Sequence, residues 1–299
     1  MEEAREGEPM NPHHAPYSCK IIADSLSPGG IRLTTLTITY PRFILPQMLT
    51  HRMFSRNTES SRAIPISKRI QRVIDQPAFP LQFGRNQRGM VAGEEVDKGG
   101  EALRIWLEAR DQAVEQARKM ARLGVHKQVV NRLLEPFVFV TQLITATEWE
   151  NFLALRLPHD AQPEIQRVAR SIRHALTTST PIRRSDSWHL PFLTEEEHAQ
   201  ASSPGWAPEM GTWFPTEGQM ISAARCARVS YLTHEGTRDI QKDLDLAHRL
   251  LSAGHMSPFE HQALPRSDTE FRSSNFRGWT QFRKMIPGEA VFHGGNNYA

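Results

Sequence analysis

Two β-rich runs separated by a tight turn constrain the fold of this chain most. Residues 20–25 and 31–40 are rich in Ile, Leu and Thr, and a Pro-Gly-Gly sequence stands between them. This pattern predicts two strands joined by a turn. In the second run the parity of the apolar residues switches between Leu33 and Leu36. The switch indicates a bulge or a strand that is buried on both faces.

Helical patterns follow these strands. Residues 101–123 place apolar and alanine side chains on one stripe, and Gly124 is a suitable helix stop. Further helices are predicted over residues 146–155, 160–177 and 240–251. The combination predicts an α+β fold, in which long helices pack on a mixed or antiparallel sheet.

The 299 residues, 39% of them hydrophobic, suffice for a sizeable core in one large domain or two small ones. We expect residues 18–177 and 219–299 to form one domain. A Pro- and Ser-rich segment at residues 178–218 bridges them, and its three tryptophans favour wrapping against a surface. Residues 1–17 are acidic and rich in proline, which predicts a disordered tail.

Composition narrows the partners. In the tail, the paired His13 and His14 fit solvated side chains better than a metal site, so no metal is predicted. A net charge of +3 with a pI of about 9.0 suits phosphate-bearing small ligands, but is too weak to predict nucleic-acid binding. Cys19 and Cys226 cannot form a disulfide framework and indicate a reducing cytosol. No apolar run reaches the roughly 18 residues that a membrane helix needs. We therefore expect a cytoplasmic protein.

The densest group of chemically active side chains lies within residues 47–62. They are Gln47, His51, Arg52, Ser55, Asn57, Glu59, Ser60 and Arg62. If the first part is helical, Gln47, His51 and Ser55 share one face. The second part has poor helix propensity and predicts a loop that offers N–H groups, hydroxyls and guanidinium groups to a phosphate or a pyrimidine. On residue types alone, an exposed polar helix end fits equally well.

The spacing in residues 47–62 resembles the signature of the flavin-dependent thymidylate synthase family, in which Arg-His-Arg is followed by Ser, Asn, Ser and Arg. Four further segments resemble this family. They are residues 124–136, which end in Leu-Leu-Glu-Pro, residues 151–165 with Asn-Phe-Leu-Ala-Leu-Arg, the Ala-Arg-Val-Ser-Tyr sequence at 227–231, and the Gly-His-Met-Ser-Pro-Phe-Glu-His sequence at 254–261.

The order of these segments differs from that of the family. In the family the Val-Ser-Tyr and Ser-Pro-Phe-Glu-His segments precede the Arg-His-Arg motif, whereas here they follow it by more than 160 residues. This order indicates a circular permutation, with residues 178–218 joining the original ends. Such a rearrangement is tolerated where the original termini lie close together on the surface.

The resemblance implies an enzyme that uses FAD, reduced by NADPH, to carry a one-carbon unit from methylenetetrahydrofolate to C5 of dUMP, giving dTMP. It also implies a homotetramer, and no cysteine nucleophile. Catalytic roles would fall to His51, Arg52, Ser60 and Arg62. Contacts to FAD would come from His51, Arg52, Arg156, Ser230, His255, Ser257 and Glu260. The nucleotide would contact Gln47, Ser60, Arg62, Arg167 and the backbone around Glu59.

Three positions depart from the family pattern. Thr50, Thr147 and Gln166 stand where the family has arginines. Candidate replacements for the lost charges are Arg167, Arg183 and Arg184. The departures leave open a flavin- and folate-dependent enzyme that hydroxymethylates or methylates another pyrimidine nucleotide. A third hypothesis is a non-catalytic paralogue that binds a nucleotide or a nucleic acid.

Overall fold

A computed structural model describes residues 16–201, 206–207, 212–213, 215–231 and 238–289. Most of the acidic tail, including its two histidines, lies outside these ranges. The described chain has a five-stranded sheet with helices packed on it, which confirms the predicted α+β class.

The first half of the chain builds most of the sheet and the longest helices. In chain order its elements are β1 Ser18–Leu26, β2 Arg32–Pro41, α1 Leu45–Leu49, β3 Ser55–Thr58, α2 Ile66–Asp75, α3 Glu101–Arg122, α4 Lys127–Val130, β4 Phe139–Ala146, α5 Glu150–Arg156 and α6 Pro163–Thr178. A 3-10 segment, Asn131–Phe137, links α4 to β4.

The second half adds shorter elements. They are β5 Ile182–Arg183, α7 Glu195–Ala201, β6 Trp206–Ala207, β7 Thr212–Trp213, α8 Glu217–Ala227, α9 Ile240–Ser252, β8 Ala263–Pro265, β9 Arg272–Ser273, β10 Phe276–Arg277 and β11 Trp279–Gln281. Three 3-10 turns interrupt them, at Arg228–Tyr231, Ser257–Glu260 and Phe282–Met285.

The sheet has the order β3-β4-β2-β1-β5 and is antiparallel except for the β1–β5 pair. The predicted β1–β2 hairpin is confirmed. The strand β2 is buried on both faces, and the bulge lies in its partner β1, between Ile21 and Ala23. Ile21 and Ile22 pack against different apolar clusters.

Helices α5 and α6 cover one face of the sheet. Leu36 of β2 and Ile144 of β4 pack there with Val168 and Ile172 of α6, and all four are fully buried. The prediction of a helix starting at residue 146 was wrong. Ala146 still pairs with Thr34 in the sheet, so the helix cannot begin before the strand ends.

The long helix α3 matches its predicted span. It starts after Gly100, which has a left-handed φ of 76°, and the Asp97 carboxylate accepts hydrogen bonds from the first free backbone N–H groups of the helix. Only part of its predicted apolar stripe is buried: Ala117 enters the core, whereas Ile105 is 54% exposed, and Val114, which was not in the predicted stripe, is buried as well.

The C-terminal helices form a second core with the bridging segment. Trp188 is 1% exposed and packs with Phe259 and Phe282 beside α8 and α9. Trp188 of the bridge is therefore part of this core. Arg225 of α8 joins the helices, because its guanidinium pairs with Asp243 of α9 at 3.0 Å and with Glu197 of α7 at 2.8 Å. The side chains of Trp206 and Trp213 lie outside the described part.

A hydrogen-bonded chain of five buried polar side chains, which we call the Thr–His chain, fastens these later segments to the other face of the sheet. It runs Ser25–His189–Thr35–Thr145–His261, with successive distances of 2.8, 2.8, 2.7 and 2.8 Å. Each member is at most 2% exposed. The two threonines face each other across β2 and β4. The Thr–His chain therefore joins β2 and β4 to the bridge through His189, and to the segment that follows Glu260 through His261.

Burial keeps both histidines of the Thr–His chain neutral, because it lowers their pKa to about 3. A neutral imidazole has one donor and one acceptor nitrogen. His189 uses both nitrogens within the chain, so its ring orientation is fixed by its partners. A buried hydroxyl lost from this chain would leave an imidazole nitrogen without a partner.

We expect Thr145→Val to lower the free energy of unfolding by about 1–3 kcal/mol, because it leaves His261 Nδ1 without its partner and removes one of the two side-chain hydrogen bonds of Thr35. Thr39→Val is the matched control. Its hydroxyl bonds Thr141 at 2.9 Å between the same two strands, but outside the Thr–His chain. Urea denaturation of both variants measures the difference. Equal losses would show that the Thr–His chain adds nothing beyond an ordinary cross-strand pair.

No helix within the described residues is long and apolar enough to cross a membrane.

Candidate functional site

The short helix α1 and the turn after it place His51. The helix ends at Leu49 because side chains satisfy its last carbonyl groups: the Thr50 hydroxyl donates to Gln47 O at 2.7 Å, and the Arg56 guanidinium donates to Met48 O and Leu49 O. The expectation that Gln47, His51 and Ser55 share one helical face is therefore wrong. Ser55 instead begins strand β3.

His51 is 8% exposed and sits in an aromatic and cationic pocket. Its ring meets Phe152 edge-on at 4.9 Å, and its Nε2 accepts a hydrogen bond from Arg156 Nε at 3.1 Å. Burial is the main cause that lowers the pKa of His51 to about 4, and the charges of Arg156 and Arg56 add to it. The imidazole is thus neutral at pH 7, with its proton on Nδ1.

Glu260 places a carboxylate where its charge acts on Arg56. It forms an ion pair with Arg283, which also pairs with Glu289. Burial lowers the pKa of Arg56, and the charge of Glu260 opposes that shift while the charge of Arg52 adds to it. His51 and these cations therefore belong to one electrostatic cluster, although Glu260 lies 208 residues beyond Arg52 in the sequence.

A polar network holds the two sequence-distant halves of the cluster together. Gln281 donates from Nε2 to Ser55 Oγ at 3.2 Å, to Asn275 Oδ1 at 3.0 Å and to Glu260 O at 3.4 Å. Asn275 in turn donates to Met53 O at 2.9 Å. The turn Ser257–Glu260 is thereby fixed against the start of β3.

The turn after β3 presents Ser60 and Arg62. Buried Asn131 holds it from beneath, donating to Ser61 O at 2.7 Å and to Ile64 O at 2.9 Å. The Arg62 side chain is exposed, and no other described residue hydrogen-bonds its guanidinium. A rigid turn with an exposed cation is suited to binding an anionic ligand.

Glu59 does not offer the free backbone donor that was expected. Its N–H donates to Thr141 O at 2.9 Å, because β3 continues its pairing with β4 in this direction. Its side chain is 3% exposed and turns inward to Arg69 and Arg72. Free donors of this loop must come from residues after Glu59.

The other predicted ligand contacts have mixed surroundings. The amide of Gln47 donates to Gln162 at 2.5 Å, and the guanidinium of Arg167 stacks on the Tyr17 ring at 4.3 Å. His255 and Ser257 are exposed beside Glu260. Ser230 lies in the 3-10 turn Arg228–Tyr231, and its side chain is outside the described part.

The positions that depart from the family pattern are engaged locally. The Thr147 hydroxyl accepts a hydrogen bond from Arg277 N at 3.2 Å, and Gln166 donates to Leu157 O and Pro158 O. Of the candidate replacements, Arg184 pairs with Glu195 at 2.9 Å, while Arg183 is exposed.

Sequence reasoning missed Arg56, Asn275, Gln281 and Arg283. Arg56 lies inside the recognised motif, but its position in the sequence does not indicate that its side chain bonds the end of α1. The other three follow the Phe-Glu-His sequence in a stretch without helical or strand periodicity. Only the packing of β8 against β11 brings Gln281 beside Glu260.

The donor set suits a ligand with phosphate groups. The charges of Arg56 and Arg156 act on a neutral histidine, Arg52 adds its charge beside Arg56, and the hydroxyl of Ser257 is exposed three residues before Glu260. Guanidinium groups bind phosphates through charge-assisted hydrogen bonds. Within the described residues, no group of three or more His, Cys, Asp or Glu side chains is arranged to hold a metal ion.

Comparisons with known proteins point to one family. A family model described as thymidylate synthase complementing protein matches residues 27–182. The flavin-dependent thymidylate synthase of Kosmotoga olearia is 26% identical over 152 residues, which are 48% of this chain and 63% of that protein. The match thus spans less than two thirds of the relative's length. The family match does not include residues 227–231 or 254–261.

Two solved structures are partial matches to the chain. The UMP/dUMP methylase PolB from Streptomyces cacaoi, bound with 5-Br dUMP, has a TM-score of 0.46 at 15% identity, over 55% of this chain and 91% of that one. Thymidylate synthase X from Helicobacter pylori, with FAD and dUMP, has a TM-score of 0.36 at 16% identity, over 48% and 67% of the two chains.

The pKa of His51 offers a test of the cluster. Arg156→Met removes both a cation and the donor to Nε2, so we expect the His51 pKa to rise, while burial keeps it below its usual value. Arg52→Met is the control, since Arg52 is a neighbouring cation that does not bond the imidazole. Titration of the His51 ring by NMR measures both. A larger rise in the Arg52 variant would contradict the geometry.

Proposed function

The chain belongs to the thymidylate synthase complementing protein family, and on this premise we propose that it transfers a one-carbon unit from methylenetetrahydrofolate to C5 of dUMP, with FAD as cofactor, giving dTMP. The observation that carries the proposal is the contact between two motif segments that lie far apart in the sequence. The side-chain amide of Gln281 donates hydrogen bonds both to the backbone carbonyl of Glu260 and to the hydroxyl of Ser55, and so connects the two segments.

FAD fits the donor set described above. We propose that it is held by His51, Arg52, Arg156, Ser230, His255, Ser257 and Glu260, with Arg56 and Arg283 as further cations at its site. When bound and reduced by NADPH, FAD supplies the hydride that completes the methyl group. The neutral His51 contributes a fixed N–H donor at Nδ1, because Arg156 occupies its Nε2.

For the nucleotide we propose the turn that carries Ser60 and Arg62, with Gln47 and Arg167 as outer contacts. Arg62 offers a guanidinium to the phosphate or to a pyrimidine carbonyl, where it stabilises negative charge on the ring. Such stabilisation is needed because the ring has no thiolate to activate it. Burial raises the pKa of Cys19 to about 12 and that of Cys226 further, so both stay protonated and unreactive.

We also propose that a second copy of the chain completes the site, in a homotetramer. Two apolar side chains beside the cluster support this: Leu49 is 44% exposed and Leu155 is 54% exposed, and they neighbour the helix ends that carry His51 and Arg156. A cytoplasmic location is proposed from the two free cysteines.

The permuted order of the motifs remains part of the proposal. Two findings support it. The family match ends at residue 182, and the turn Ser257–Glu260 nevertheless packs against β3 of the matched region. Strand β5 of the bridge pairs with β1, so the bridge returns along the edge of the same sheet.

The nucleotide is the feature for which a second candidate has support. The side chains of Thr50 and Gln166 are uncharged, unlike the arginines at these positions in the family. Thr50 bonds its own helix, and Gln166 bonds two backbone carbonyls. An altered cation set favours a changed substrate, such as another pyrimidine nucleotide that is methylated or hydroxymethylated.

Product mass distinguishes these candidates. We expect purified protein to be yellow and, with NADPH and methylenetetrahydrofolate, to convert dUMP into a product heavier by one methylene group. UMP and dCMP are the parallel substrates. A hydroxymethyl product, or turnover of UMP or dCMP alone, would replace dUMP methylation by the second candidate. A colourless protein without turnover would support a non-catalytic paralogue.

Arg62→Ala tests the nucleotide turn. We expect dUMP affinity to fall about tenfold or more, because one charge-assisted contact contributes about 1.5–3 kcal/mol. FAD content should not change. Arg88→Ala, which removes another exposed arginine, is the control. Calorimetric titration with dUMP and the flavin absorbance of each preparation measure both effects. Unchanged dUMP affinity in Arg62→Ala would contradict the assignment.

A further inference from the structure

Helix α2 buries a guanidinium that has no hydrogen bond. Arg69 is 2% exposed, and no described residue accepts a hydrogen bond from its side chain. Its nearest carboxylate oxygen, Glu59 Oε1, lies 3.6 Å from Nη2, and its Nε is buried without a partner. A guanidinium presents several N–H donors, and leaving them unsatisfied in the interior is costly. We therefore expect a bound group, rather than another side chain, to accept hydrogen bonds from this guanidinium.

A cavity of about 180 Å³ lies against this guanidinium. Its polar lining consists of Thr39, Glu59, Arg69, Arg72, Gln76 and Thr141. The cavity opens towards solvent past Arg72 and Gln76, whose side chains are exposed. A water molecule needs only about 10–15 Å³ of such space, so the cavity has room for a group of several heavy atoms.

The charges around the cavity favour an anion. Both oxygens of Glu59 are already committed, Oε1 to Arg72 Nη1 at 3.1 Å and Oε2 to Thr141 N at 3.3 Å. Two guanidinium groups thus face one carboxylate. The nearby Arg42 and Glu135 form their own ion pair at 3.3 Å. Burial lowers the pKa of Arg69, and the charge of Glu59 opposes that shift.

We propose that this cavity binds a small oxyanion, namely phosphate or the phosphate group of an ester. Arg69 supplies the buried donors, while Arg72 and Gln76 supply donors at the mouth of the site. Phosphate oxygens satisfy guanidinium groups through charge-assisted hydrogen bonds. Neither Ser60 nor Arg62 lines the cavity, so the site is separate from the proposed nucleotide turn and does not depend on the proposed function.

The test uses the full chain in a phosphate-free buffer at constant ionic strength. Inorganic phosphate is titrated by calorimetry, and the melting temperature is measured with and without phosphate. We expect saturable binding of one phosphate per chain and a rise in melting temperature, since a ligand that binds only the folded state stabilises it. Chloride at equal ionic strength should produce neither effect.

Three variants assign the binding to the cavity. Arg72→Gln should weaken phosphate binding about tenfold, as expected for the loss of one charge-assisted contact. Lys68→Gln removes an equal charge from an exposed position on the same helix and should leave binding unchanged. Arg69→Met should abolish the phosphate-dependent rise in melting temperature. Because that rise is compared within each variant, a change in the basal stability of Arg69→Met does not obscure the result.

The Arg62→Ala variant separates the two sources of phosphate. Phosphate binding should persist there, since Arg62 does not line the cavity. Residual dUMP binding in Arg62→Ala that the added change Arg72→Gln removes supports a phosphate ester as occupant, and the absence of such residual binding supports a free anion. The proposal is overturned if the wild-type chain shows no saturable binding. It is also overturned if Lys68→Gln weakens binding as much as Arg72→Gln, since that result indicates an adventitious ion only.

Discussion

The Thr–His chain is the constraint on which the rest of the structure depends. Helices pack on a sheet mainly through apolar contacts, which tolerate small shifts. Hydrogen bonds between buried side chains do not tolerate such shifts. Here two threonines in the centre of the sheet bond two histidines that belong to later segments. The segment that contains Glu260 is therefore docked at a defined position, where the Glu260 carboxylate pairs with Arg283 and acts on the charge of Arg56.

The elements that depend on local pattern were predictable. The β1–β2 hairpin follows from its Pro-Gly-Gly turn, and α3 follows from its apolar stripe. Helix α1 was predicted too long, because its end is decided by side chains, Thr50 and Arg56, that bond its last carbonyl groups. Spacing alone does not show that an arginine seven residues beyond the end of a helix will fold back on it.

The candidate site was predictable only as far as its motifs reach. Those motifs named His51, Arg156 and Glu260, which the structure places in one electrostatic cluster. Asn275 and Gln281 lay outside every motif, because their role depends on the pairing of β8 with β11 and on contacts across more than 200 residues. Burial of Arg69 was also beyond reach, since an arginine in an amphipathic helix is ordinarily exposed.

The Thr–His chain also has a consequence for the order of folding. Side chains alternate between the two faces of a sheet, so a slip of one residue between β2 and β4 would turn the Thr145 hydroxyl towards α6 and leave His261 facing an apolar side chain. Only a correctly paired sheet accepts His261, which lies 116 residues after Thr145. The turn beside Glu260 can take its place only after the register is right, so a misregistered sheet yields a chain without a complete site.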